Sequence, residues 1–176
     1  MKDFIHGLFY YLLRNMMNIP FNILRINILR ILGAKIGKKV FIGRKCDIRK
    51  PSNISIGNNS IINPKVILDG RGGELRIGEN VDIALESILW TESHDPHDDF
   101  HKTIDKPTYI EDYCWIGCRA MVMPGITIGR GSVVAAGSIV TKSIPSMVIV
   151  GGIPATKIGD RKSALKYTKN HCPYFL

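Results

Sequence analysis

IEDYCWIGCRAMVMPGITIGRGSVVAAGSIVTKSIP, residues 110–145, divides evenly by six. Ile110, Ile116, Val122, Ile128, Val134 and Val140 open successive hexads, and Cys114, Ala120, Ile126, Ser132, Ser138 and Ile144 hold the fifth place. A period of six fits neither the two of a strand nor the 3.6 of a helix, so the stretch predicts a repeat architecture. Six residues make one flat side of a coil, and three sides make a turn. The opening aliphatic then points into a prism, and the mostly small fifth residue fits where two sides meet.

The register extends backwards through Ile36, Ile42, Ile48 and Ile54. A two-residue shift resets it to Ile56, Ile62 and Leu68, and a three-residue insertion around Asp69–Gly73 resets it to Ile77, Ile83 and Leu89. Insertions between sides are where a solenoid carries its loops. Residues 36–160 therefore read as one coiled domain of about five coils, roughly 25 Å long at ~4.8 Å per coil.

A chain of 176 residues with 45% hydrophobic content suffices for one domain with a core. The formal charge of +9 suits an anionic ligand or surface. No RNA-binding signature, zinc-finger spacing or base-reading helix accompanies it, so nucleic acid is not an expected partner. Cys46, Cys114, Cys118 and Cys172 form no CxxC pair and read as reduced, packed cysteines of a cytosolic protein.

Residues 1–35 read as an amphipathic helical lead-in. Ile5, Leu8, Phe9, Leu12, Leu13 and Met16 recur at helical spacing, Pro20 interrupts, and Phe21, Leu24, Ile28, Ile31 and Leu32 form a second stripe ended by Gly33. Arg14, Arg25 and Arg30 break any apolar run long enough to span a bilayer, and no secretory cleavage site follows. These helices would pack on the coil or a neighbouring subunit, or meet the cytoplasmic membrane face through apolar stripe and arginines. Residues 161–176 are a basic tail, mildly helical at first, expected to cap the open end or reach a neighbour.

Between Leu89 and Ile110 the register fails and polarity rises. The loop 91–109 carries His94, His97 and His101, and a polar loop on a rigid solenoid is where function is mounted. A histidine there can serve as general base near neutral pH. Glu92, Asp95 or a backbone carbonyl could orient its ring. Alternatively, Asp95-Pro96 could start a short helix aligning the three imidazoles, at i, i+3 and i+7, for a metal.

Trp115-Ile116-Gly117-Cys118, Pro124–Gly129, Ala136–Lys142 and Gly152-Ile153-Pro154-Ala155, with Ser93-His94-Asp95 some twenty residues upstream of the first, resemble the hexapeptide-repeat acyltransferases. The likeness is to the galactoside and maltose O-acetyltransferase branch, of polysaccharide-biosynthesis type. It implies an all-β solenoid, a left-handed parallel β-helix; crossover geometry alone would favour the right hand. It implies a homotrimer with active sites between subunits, acetyl-CoA as acetyl donor, and no metal. His94 would be the general base, with His97 as fallback, and the Cys118 N–H would face the developing oxyanion. Trp115, Gly117, Cys118, Ala136, Thr141 and Lys142 would line the coenzyme, with Lys157 or Arg161 replacing a basic residue the family has where this chain has Gly159. Asn63, Asp69, Trp90 and Glu92 would meet the acceptor. The resemblance thus implies a cytoplasmic O-acetyltransferase acting on a saccharide of capsule, exopolysaccharide or lipopolysaccharide assembly. Alternatives are xenobiotic or serine acetylation, a carbonic-anhydrase-like metal site, and a non-enzymatic scaffold.

Overall fold

The computed structural model describes residues 2–169 and, of these, all side chains but those of residues 2, 3 and 6. Five coils stack in parallel, each contributing one short strand to each of three faces. The first face joins Lys35–Ile36, Ile54–Ile56, Leu75–Ile77, Thr108–Ile110 and Thr127–Ile128. The second joins Phe41–Ile42, Ile61–Ile62, Asp82–Ile83, Trp115–Ile116 and Val133–Val134, then Val148–Gly151 and the antiparallel Thr156–Asp160. The third joins Asp47–Arg49, Ile67–Asp69, Ile88–Leu89, Met121–Val122 and Ile139–Val140.

The expected inward positions fill the prism. Ile42, Ile62, Leu68, Ile83, Leu89, Ile116, Val122, Ile128 and Val134 are fully buried, and the fifth-position residues Cys114, Ala120 and Ser132 lie beside them. Corner serines tie coil to coil: the Ser132 hydroxyl donates to the Pro145 carbonyl, 2.6 Å, and that of Ser87 to the Gly117 carbonyl, 2.8 Å. The third residue after each inward aliphatic often adopts positive φ, as at Lys39, Lys45, Asn59, Lys65, Glu86 and Arg119. One left-handed residue turns the chain through each such corner, at a steric cost repaid by the stacked core.

All three interruptions of the register fall at one corner, between the third face and the first face of the next coil. They are the 3-10 turn Pro51–Asn53, the turn 70–74, and the long excursion 90–107. The chain thus stacks its irregular segments on one edge, each against its neighbour. Asn53 Nδ2 donates to the Gly70 carbonyl, 2.8 Å, and the Gly72 N–H to Thr91 Oγ1, 3.0 Å.

Helices α1 (Lys2–Met16) and α2 (Asn22–Ile31) pack Leu13, Met17, Ile26 and Leu29 onto the first coil. The three arginines, which the sequence leaves free to meet either the coil or a membrane, hydrogen-bond to the first coil or to the turn before it. Arg14 pairs with Asp47 at 3.0 Å, Arg25 is fully buried and donates to the Ile42 carbonyl, and Arg30 donates to the carbonyls of Ile36 and Gly37. Each thereby ties its helix to a backbone carbonyl or carboxylate of the first coil. The tail departs from expectation too. Its described part, 161–169, is neither helical nor a cap over the open end: it runs back outside the coils, burying Leu165 and pairing Lys169 with Asp82 at 2.5 Å. Cys172 lies outside the described residues.

Burial alone would raise the Asp47 carboxyl, but hydrogen bonds from Arg14 and Arg49 outweigh it and hold it below its ordinary value. A carboxyl held down in the fold stabilises it above the unfolded chain's titration, and this is lost as pH falls through the folded value. Asp47→Asn should therefore lower the melting temperature at neutral pH and lower it less near pH ~3, where the unfolded carboxyl is already largely protonated and the folded one begins to follow. Thermal denaturation at the two pH values checks this.

Candidate active site

The excursion at the third corner is a hairpin. Glu92–His94 pairs antiparallel with Thr103–Asp105, in the register Glu92 to Asp105 and His94 to Thr103. The helix that would have aligned three imidazoles does not form. Asp95 and Asp98 instead cap the tip with their own carboxylates: Asp95 Oδ1 accepts from the His97 N–H, and Asp98 Oδ1 from the N–H groups of Phe100 and Lys102. Side-chain capping of this kind competes with helix formation. Among the described residues no group of three His, Cys, Asp or Glu is placed to hold a metal.

The hairpin returns His101, at φ +57°, beneath His94. The rings stack at 4.0 Å with 12° between planes, and His94 Nδ1 lies 3.0 Å from the His101 carbonyl. A carbonyl only accepts, so Nδ1 is the donor in this contact, and whenever the ring is neutral the lone pair lies on Nε2. A backbone carbonyl, rather than Glu92 or Asp95, therefore orients this imidazole. His94 is solvent-exposed; His97 is exposed too, and its backbone N–H closes the Asp95 turn.

Charged pairs anchor the hairpin's base. Arg71, from the insertion in the preceding coil, bridges Asp69 at 2.7 Å and Glu92 at 3.1 Å. Arg49 lies 3.7 Å from Asp69, and its guanidinium sits 5.3 Å from the Trp90 ring centre. Asp69, expected to contact an acceptor, is 0% exposed. Its carboxylate is closed off by two arginines and holds them in place instead.

Several of the remaining site candidates occupy another edge. Cys118 and Ala136 follow Ile116 and Val134, partners on the second face, and so stack at the second corner. Among the described residues neither backbone N–H has a hydrogen-bond partner, although the Cys118 carbonyl accepts from Gly137 at 2.8 Å. By contrast, the amides of Lys38, Glu79 and Arg130, which also follow a glycine at a corner, are capped by Asn58, Asp112 and Glu111. Gly117 permits the close approach there, since a Cβ would meet the Ala136 nitrogen at 2.5 Å. Trp115 is 51% exposed beside this column. Asn63 stands at the same corner, donating to Asp82 and the Ile83 carbonyl.

Thr141 and Lys142 are exposed at the third corner, the edge that carries the hairpin. Lys157 is exposed and paired with Asp160 at 2.6 Å. Arg161 is committed to the fold: it donates to the carbonyls of Tyr113 and Gly131 and to the Tyr167 hydroxyl, which withdraws it from a phosphate role. Cys46 and Cys114 are buried, which pushes both thiols up to about 12, so neither supplies a thiolate near neutral pH.

Residues 107–142 match the family described as bacterial transferase hexapeptide (six repeats). The chain is 41% identical over 138 residues to a protein of Escherichia coli K12 named as a colanic acid biosynthesis acetyltransferase, WcaF, covering 78% of this chain and 75% of that one. It is 34% identical to the galactoside O-acetyltransferase of the same organism, covering 76% and 67%. The chain belongs to the hexapeptide-repeat transferases. A hexapeptide-repeat acetyltransferase from Vibrio cholerae, solved with acetyl coenzyme A, superposes with a TM-score of 0.79 at 33% identity, covering 86% of this chain and 84% of that one. This transferase is accordingly an acetyl-CoA-dependent acetyltransferase, and its solenoid is a left-handed parallel β-helix. Crossover statistics alone would have misjudged the hand.

Sequence reading named His101 only as a candidate metal ligand, not as the ring stacked on His94, and missed Arg71 and Arg49. Arg71 lies inside the insertion, where the six-residue pattern carries no information.

Gly72 packs so tightly that a Cβ would lie 2.1 Å from the Thr91 carbonyl oxygen. Gly72→Ala must therefore displace the hairpin's first strand. Turnover is expected to fall roughly ten- to a hundredfold, the effect of misplacing a reacting group by about 1 Å. Steady-state kinetics beside a melting curve would separate this from loss of fold.

Proposed function

We propose that this transferase moves an acetyl group from acetyl-CoA to a saccharide hydroxyl, with His94 as general base and the active site shared between subunits of a homotrimer. The observation that carries the reading is the His94 imidazole itself, its Nδ1–H held by a carbonyl and its Nε2 free at an exposed hairpin. The His94 Nε2 takes the acceptor's hydroxyl proton as the oxygen bonds to the thioester carbonyl carbon. The unpartnered Cys118 N–H donates to the oxygen on which negative charge develops. The carbon–sulfur bond then breaks, and the imidazolium returns its proton to the leaving thiolate, so the enzyme ends unchanged.

The need for a second subunit follows from where the groups stand. His94 leaves the third corner, while Cys118 and Ala136 line the second, one side of the prism away. A six-residue side spans roughly 15–20 Å, far beyond hydrogen-bond reach. A neighbouring copy that presents its hairpin to this wall would bring the two halves together. Thr141 and Lys142 would arrive with the hairpin edge, and Trp115, Gly117 and Ala136 with the wall. Lys142 and Lys157 are the remaining cations for coenzyme phosphates.

Trp90 and Glu92 from one subunit and Asn63 from the other would contact the acceptor, with Asp69 acting through Arg71. A saccharide acceptor is favoured by the likeness to colanic acid and galactoside acetyltransferases. Its acetyl donor is a cytoplasmic metabolite, which places the reaction in the cytoplasm.

Thiol release with free and nucleotide-linked sugars tests this. His94→Ala should lose ~10²–10⁴ in kcat, the ordinary contribution of a general base, while coenzyme A still protects the protein from heat. His97→Ala should stay within a few-fold of wild type, by about the margin of an exposed side chain without a reacting partner. Full activity in His94→Ala, or its loss in His97→Ala, would overturn the assignment. His101→Asn, which tolerates positive φ but removes the ring, should lower kcat and spare KM.

A further inference from the structure

Helix α1 is apolar on two opposite sides. Leu13 and Met17 face the first coil, while Phe4, Leu8, Tyr11 and Leu12 point outward; Phe4 is 73% exposed. Helix α2 repeats this, with Ile26 and Leu29 inward and Leu24 and Ile31 outward, Ile31 being 84% exposed. An open groove of about 290 Å³, lined by Phe9, Met16, Ile28 and Leu32 among others, joins the two outer faces. Helices apolar on all sides are normally covered, and contiguous patches of this kind mark interaction surfaces.

The distribution of charge says what covers it. Residues 1–53 hold eleven Lys and Arg against two Asp, a formal +9. Residues 54–176 hold thirteen basic and thirteen acidic residues. The protein's entire formal net charge thus sits at the end of the solenoid that bears the apolar helices. Arg25 is buried and Arg14 is paired with Asp47, so the outward charge is carried by exposed Arg30 and by lysines of the first coil. Lys35, Lys38, Lys39, Lys45 and Lys50 are exposed and, among the described residues, have no carboxylate partner.

We infer that this end of the molecule docks on an anionic phospholipid bilayer, with the outer faces of α1 and α2 sunk at the headgroup boundary and the first-coil lysines over lipid phosphates. A second copy docked end to end fits the surface poorly, because a two-fold axis would set two +9 ends face to face. Fifteen residues of α1 extend roughly 22 Å, and no helix among the described residues is long and apolar enough to cross a membrane. Such a helix lies in the interface. The surface does not depend on the acetyltransferase reading. Where that reading holds, docking places the hairpin two to three coils above the bilayer, roughly 10–15 Å, within reach of a sugar carried on a lipid.

The test is co-sedimentation of the full chain, without acetyl-CoA, with vesicles of phosphatidylglycerol and phosphatidylcholine and with vesicles of phosphatidylcholine alone. Wild type should pellet with the anionic vesicles only, and raising salt to about 0.5 M should weaken binding. Lys35→Glu/Lys38→Glu/Lys39→Glu should lower the apparent affinity about tenfold or more. Leu8→Ser/Ile31→Ser, altering only exposed side chains, should release the protein while its melting curve holds. Failure to pellet at low salt, equal pelleting with neutral vesicles, or unchanged pelleting of the lysine variant overturns the proposal. So does sedimentation velocity showing an assembly of wild-type copies that Leu8→Ser/Ile31→Ser dissolves, because the face then belongs to another copy. Thiol release measured separately reports on the acetyltransferase reading alone.

Discussion

A column of aliphatic side chains, one at every sixth residue, fills a narrow prism. Ile42, Ile62, Ile83, Ile116 and Val134 on one face, and Leu68, Leu89 and Val122 on another, leave room beside them only for small corner residues such as Ser87 and Ser132. No coil could bury its apolar residues alone, so each depends on the coils above and below. The corners obey the same constraint. They turn through single left-handed residues and small side chains because the inward register allows no slack.

That rigidity decides where chemistry can be mounted. Extra residues cannot enter a face without turning the core outward, so they accumulate at corners, and here at one corner on successive coils. A 3-10 turn, a glycine turn and the hairpin stack in order of increasing length. Each is held by the one before, through Asn53 on Gly70, Gly72 on Thr91 and Arg71 on Glu92. The second corner carries no insertion, and the backbone N–H groups of its exposed residues Cys118 and Ala136 have no partners among the described residues. One edge thus projects side chains and another offers main chain.

The coils were legible because a period of six repeats enough times to be read above noise, and its resets marked the insertions. The placement of His94 on the hairpin was legible from the break in that pattern. What the insertions do at the corner was not. Arg71 and Arg49 act across coils, through contacts twenty or so residues apart that no local pattern announces. The alternative helix at Asp95-Pro96 failed because Asp95 and Asp98 satisfy nearby N–H groups in turns. The arginines of the lead-in looked like outward charges, yet each found a carbonyl or carboxylate on the first coil. A side chain that long can turn either way, and only the tertiary partner decides.

The C-terminal segment has a bearing on how the molecule comes apart. A stack of coils with only neighbour contacts can fray from its last repeat, one layer at a time. Here the chain doubles back over the layers it has just completed. Arg161 grips the carbonyls of Tyr113 and Gly131, and Lys169 reaches Asp82 in the third coil. The last coil cannot peel away without releasing contacts to coils beneath it. The strap converts a one-dimensional stack into a more cooperative unit, in which the layers carrying the hairpin and the bare amide edge are retained or lost together.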